Sequence, residues 1–253
     1  MKILKLTSAT SIFAVLLIGA AQANAQTVTV DPATLTFGYM NVFNLPAGAT
    51  ITGNGGPADG AYQFGGTWGV SDLVSSFAGS TLTLRPNQIG DPNQYWYQGS
   101  GVNNGAPGAP GNKWMDASLY NETTGVYVGT TLTFTANVFL NTLGGALNPY
   151  NNTTYSTVAF IKDFAPDYSS FTSSTIALPA SGLFSISLLT SGDAGHHIQY
   201  GFETIGSDIW ATDPILAGSA FTAIVTPVPE PATLALVGVG GMAALAFFRR
   251  RNQ

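Results

Sequence analysis

Between Thr131 and Leu140 apolar and polar positions alternate. Leu132, Phe134, Ala136, Val138 and Leu140 fall on one side, and Thr131, Thr133, Thr135 and Asn137 on the other. A period of two over this length marks a half-buried strand. Shorter runs of the same kind occur at Leu35–Tyr39, Thr81–Arg85, Val126–Val128, Tyr155–Phe164, Leu183–Leu189, Ile198–Phe202 and Ala220–Val225. Turn clusters separate them, among them Gly53-Asn54-Gly55-Gly56-Pro57, Pro86-Asn87, Asn148-Pro149 and Ser191-Gly192-Asp193. Ser71–Ala78 alone suggests a helical turn. Many short strands without alternating helices predict an all-β fold, an antiparallel β-sandwich or jelly roll. The run Gly99–Gly111, rich in glycine, asparagine and proline, predicts a long mobile loop within that one domain. No repeat of solenoid or propeller length is present.

Two apolar runs do not alternate, and both lie at chain ends. Lys2 and Lys5 precede an apolar stretch from Leu6 to Ala20, and Ala23-Asn24-Ala25 follows it. A basic start, a short apolar centre and small residues at Ala23 and Ala25 make a secretory signal peptide, with signal peptidase cutting after Ala25. At the other end Pro-Val-Pro-Glu-Pro leads into 17 uncharged residues, Ala232–Phe248, and then Arg249, Arg250 and Arg251. The prolines keep the first part extended. The run is just long enough for a transmembrane helix. The arginines stop transfer and stay on the cytoplasmic side. The expected organisation is a signal peptide at 1–25, a β-sandwich at 26–226 and a sorting signal at 227–253.

Val228-Pro229-Glu230-Pro231, the span and the arginine cluster together resemble the PEP-CTERM sorting signal of Gram-negative bacteria. The resemblance covers about a tenth of the chain. It implies recognition of Pro229, Glu230 and Pro231 by a membrane exosortase and transient anchoring in the inner membrane. It further implies removal of the tail and release to the cell surface or exopolysaccharide matrix, in a biofilm or envelope layer.

Charge and cysteine content narrow the function of the central region. Its basic side chains are Arg85, Lys113 and Lys162, so it is more acidic than the whole-chain net charge of −5. Nucleic acid is excluded as a partner, because nothing there neutralises phosphates. Neutral glycans, or acidic polymers bridged by divalent cations, remain compatible. The chain has no cysteine, which excludes disulfides, thiolate metal sites and thiol nucleophiles.

Gly129–Phe134, Phe184-Ser185-Ile186 and Gln199–Phe202 are similar to the jelly-roll core of carbohydrate-binding modules. That likeness implies a non-catalytic sugar-binding sandwich, often with a structural calcium ion, and no family residue transfers by position. A pyranose presents C–H bonds that stack on aromatic rings, while amides and carboxylates bond its hydroxyls. Trp68, Trp96, Trp114 and Trp210, with Tyr95 and Tyr97, stand among Gly, Asn, Gln and Asp as candidate platforms. Such rings also build cores, and alternation would turn Tyr95 and Tyr97 away from Trp96. Period two places His197, Gln199 and Glu203 on one face, with Ile198, Tyr200 and Phe202 facing the core. That polar stripe is a second glycan candidate or a solvated strand face. His196 with Asp193 is a candidate metal pair.

Catalytic signatures are few. Nucleophile-elbow, zincin and phosphate-loop motifs are missing from the sequence. Glu122 and Glu203 are the carboxylates a glycosidase would need. The expected function is that of an exported, non-catalytic, glycan-contacting surface protein. The alternatives are a structural or adhesive protein that binds protein partners, and a glycan-cleaving enzyme.

Overall fold

A computed structural model describes residues 24–99, 105–214 and 220–223. The runs assigned to the signal peptide and the sorting helix lie outside the described residues, apart from Asn24 and Ala25. Thirteen strands form two sheets among the described residues. The first contains β1 (Ala25–Val28), β4 (Ser76–Ala78), β5 (Thr81–Leu84), β8 (Thr131–Asn141), β11 (Gly182–Leu189) and β13 (Ala220–Ala223). The second contains β2 (Phe37–Asn44), β3 (Tyr62–Thr67), β6 (Gln88–Ile89), β7 (Pro110–Thr124), β9 (Ser156–Phe164), β10 (Phe171–Ala177) and β12 (His197–Trp210). Its order is β10-β9-β12-β7-β2-β3, with β6 beside the end of β12. Pairing is antiparallel except for β1 on β8 and β6 on β12.

The alternation of β8 explains the packing of the two sheets. Leu132, Phe134, Ala136 and Val138 are buried against Ala159 and Ile161 of β9 and Ile198, Tyr200 and Phe202 of β12. The Phe134 ring meets Phe184, Tyr200 and Phe202 at centroid distances of 5.3–5.4 Å. Gly201 lets β12 close on β7, since a Cβ there would lie 2.1 Å from the Leu119 carbonyl oxygen. A second cluster covers the other half of the seven-stranded sheet. Leu73 of the 3₁₀ turn, Ile89 of β6 and Tyr97 of a loop there join Met40, Val42 and Met115.

Several sequence expectations need correction. Leu140 does not share the buried face of β8. The register against β13 shifts at that point, and Leu140 stands 49% exposed while Asn141 turns inward. Val126–Val128 is a turn with Tyr127 at φ 63°, and the strand lies before it as β7. The first expected strand starts later and runs to Asn44, and β12 continues past Phe202 to Trp210. The end of the glycine-rich run is built in: Gly108 N–H donates to Asp213 at 2.6 Å, Ala109 is buried, and Pro110 opens β7. Residues 94–96 form a turn and Tyr97 makes an isolated bridge to Gly111, so no strand alternation governs residues 95–97. Ser71–Ala78 divides into a 3₁₀ turn, Val70–Leu73, and β4.

Candidate functional site on the outer face of the seven-stranded sheet

The outer face of the second sheet is set by strand register. Trp114 of β7 pairs with Phe43 of β2, which pairs with Tyr62 of β3. The Phe43 and Tyr62 rings meet edge to face at 5.5 Å. Two residues along, Asp116 pairs with Asn41, and Asn41 with Gly65. The missing side chain of Gly65 leaves room where Asn41 Oδ1 and the hydroxyls of Tyr39 and Tyr62 converge. A Cβ there would lie 2.7–2.9 Å from all three. An aromatic row therefore lies beside a polar row, about 7 Å apart along the strands.

Trp114, Phe43, Asn44 and Asp116 line a recess of about 300 Å³ with Pro46, Gly60 and Ile205. On the opposite face of the same strands runs a chain of polar contacts. Lys113 Nζ donates to Asn44 Oδ1 at 3.3 Å and lies 4.4 Å above the Tyr95 ring, while Asn44 Nδ2 donates to Asp59 at 2.8 Å. Burial pushes the Lys113 ammonium below its ordinary pKa, against the attraction of Asp208 and Asp59. Asp116 Oδ1 is buried without a hydrogen-bond partner. Desolvation first, and the neighbouring Glu203 second, push the Asp116 carboxyl up to about 6.

The polar stripe of β12 continues this face. His197, Gln199 and Glu203 all point outward, and Trp114 shares their sheet face. From the Ser207–Trp114 row to the His197–Thr124 row the face runs ten residues, about 33 Å. Each stripe residue is engaged within the protein. Lys162 Nζ donates to Glu203 Oε1 at 2.5 Å, and Gln199 Nε2 donates to Glu122 Oε2 at 2.5 Å. His197 stacks on Tyr168 at 4.3 Å and shares a hydrogen bond with Thr124. Gln199 and Glu203 are buried under these neighbours, leaving less free polar surface than period two alone suggests.

The other tryptophans lie elsewhere. Trp68, Trp96 and Trp210 pack half-buried around the second core cluster. Trp68 and Trp96 line a separate recess of about 410 Å³ with Asp72, Gln88 and Asp91. Tyr97 is fully buried, its hydroxyl donating to the carbonyls of Ile89 and Ile209. His196 binds Asp163, with Nδ1 2.6 Å from Oδ1, and not Asp193, which accepts the Gly195 N–H instead. Three His, Asp or Glu side chains do not gather at any one place among the described residues.

Sequence reasoning passed over Phe43, Asn41 and Asp116. Their signal was the alternation Trp114, Asp116, Ser118, Tyr120 against Met115, Ala117, Leu119, masked by polar residues on both sides of it.

Residues 227–251 match the model of the PEP-CTERM protein-sorting motif. The motif marks the chain for exosortase-dependent export. No curated protein matches the chain. A solved structure from work on the promiscuous specificity of carbohydrate-binding modules of the β-sandwich superfamily is similar to it at 15% identity and a TM-score of 0.30. That match covers 76% of this chain and 85% of the other.

Proposed function

We propose that the chain is a non-catalytic surface or matrix protein whose β-sandwich contacts a neutral glycan through the outer face of its seven-stranded sheet. The observation that carries this reading is the pairing of rows on that face. Trp114, Phe43 and Tyr62 offer apolar rings beside the oxygen and amide groups of Asp116, Asn41 and Tyr39. A sugar ring asks for this combination, C–H faces on one side and hydroxyl partners on the other. The sorting motif supports a setting at the cell surface, after tail removal in a Gram-negative envelope. Exopolysaccharide or biofilm matrix is the expected partner.

Calorimetry of the exported protein against neutral exopolysaccharide from the producing culture tests this. Trp114→Ala should weaken binding at least tenfold, while Trp96→Ala should leave affinity within twofold and lower the melting temperature instead. Binding should change little between low and high salt, unlike phosphate-driven association. Equal binding by parent and Trp114→Ala would remove the site from this face.

A further inference from the structure

The seven-stranded sheet ends at β10, and β10 pairs only with β9. Its other side presents a row of backbone N–H and C=O groups that no described strand of the chain takes up. Six of its seven residues are exposed, and Ser174 is half-buried. Exposed edges are normally blunted by lysine, proline, a bulge or a cover. β10 has none of these: it reads Phe-Thr-Ser-Ser-Thr-Ile-Ala and pairs with β9 through all seven residues without a register shift. Apolar side chains collect on the same flank, with Phe171 54% and Ile176 37% exposed.

Charge selects the partner. The exported region is acidic, so a second copy meets least repulsion across a segment without carboxylates. The nearest charge on the outer face is Lys162, opposite Ser173, and it is already paired with Glu203. We propose that β10 is a homotypic docking edge. Two copies pair antiparallel across it, about a two-fold axis perpendicular to the sheet and centred on Ser174. That axis keeps outward residues beside outward residues. Ser173 then faces Thr175 of the second copy, Thr172 faces Ile176, and Phe171 faces Ala177. Hydroxyl pairs fill the middle, bulky residues meet small ones at the ends, and no like charges oppose. β11, also paired on one side only, is less available. Its Phe184 and Ile186 are fixed in the core and its Ser187 bonds Thr133 at 2.8 Å.

The chain's lack of cysteine gives a clean test. Opposed residues in an antiparallel pair have Cα atoms about 4.5–5.5 Å apart, within disulfide reach. Full-chain Ser174→Cys, oxidised in cells, should give a disulfide-linked dimer, and adding Thr175→Lys should reduce that dimer at least tenfold. Sedimentation of the exported protein with its natural Ser174, without polysaccharide, should show a monomer–dimer equilibrium that Thr175→Lys weakens at least tenfold at an unchanged melting temperature. A Ser174→Cys chain that stays monomeric would overturn the proposal, as would cross-linking through Ser185→Cys on β11 instead. Should Ser174→Cys fail to export, the sedimentation comparison decides, and a monomeric parent sinks the idea. The sedimentation comparison is free of polysaccharide, so its outcome is independent of the glycan reading on which the calorimetry bears.

Discussion

Asp208 is the most enclosed carboxyl among the described residues, with no exposed surface. Its Oδ1 accepts the Lys113 N–H at 2.9 Å, while Oδ2 has no partner. Desolvation pushes the group up to about 8, against the lowering effect of the Lys113 backbone bond. The folded chain therefore keeps a proton that an unfolded aspartate, with a pKa near 3.9, gives up. Stability should fall as pH rises between about 4 and 8 and level off above, because the folded state binds more protons across that window. Melting temperatures from pH 5 to pH 9 should show this slope, and Asp208→Asn, uncharged throughout, should flatten it. Phe134 tests a plain apolar contact. It is fully buried among three aromatic rings, so Phe134→Ala should cost about 3–5 kcal/mol in denaturant unfolding.

At the scale of strands, two glycines of one sheet make opposite predictions. A Cβ at Gly201 of β12 would strike the Leu119 carbonyl oxygen at 2.1 Å and Tyr120 Cα at 2.7 Å, and backbone cannot yield as a side chain can. Gly201→Ala should force β12 from β7 and cost at least about 1–3 kcal/mol. Gly66 of β3 has nothing within 4 Å of its Cβ position, so Gly66→Ala should be neutral or gain a few tenths of a kcal/mol. The same contrast shows what was legible in the chain. β8 and β11 announced themselves because one face is apolar and the other hydroxylated along most of its length. β7 did not, because it is central and covered on both sides. Its inward positions use the small or flexible Ala117 and Met115, while Asp116 and Ser118 sit outward beneath neighbours. β10 was hidden for the reverse reason, having almost no buried side to mark a period. The stripe His197, Gln199, Glu203 was read correctly as one face. Its ion pair with Lys162 and the hydrogen bond that the Gln199 amide donates to Glu122 depend on register between strands far apart in sequence, which spacing within one strand does not encode.

For the whole molecule, the core carries the fold without covalent help. With no cysteine, the melting temperature should not change on adding reductant. The match at residues 227–251 makes sorting the other global property. Glu230→Ala should leave the protein in the membrane with its tail uncut, and mass spectrometry of surface material reads the outcome directly. A mature natural protein that still carries Arg249–Arg251 would show that the tail anchors without being removed.

β1 and β13 lie end to end along one edge of β8. Val28 pairs with Phe134, and Ala223, running the opposite way, pairs with Asn137. Ala223, the last described residue of β13, thus sits inside the six-stranded sheet, between Asn137 of β8 and Thr81 of β5. Pro229 lies only six positions beyond Ala223, and Ala232 nine. Fully stretched, these reach about 20 Å and 30 Å. A tail held in the bilayer would therefore keep the sandwich on a short leash, and an enzyme cutting at Pro229–Pro231 would work close to the folded domain. Lengthening the leash with a Gly-Ser insert between Ala223 and Pro227 should speed tail removal in a pulse-chase experiment, whereas an unchanged rate would mean that cutting precedes folding.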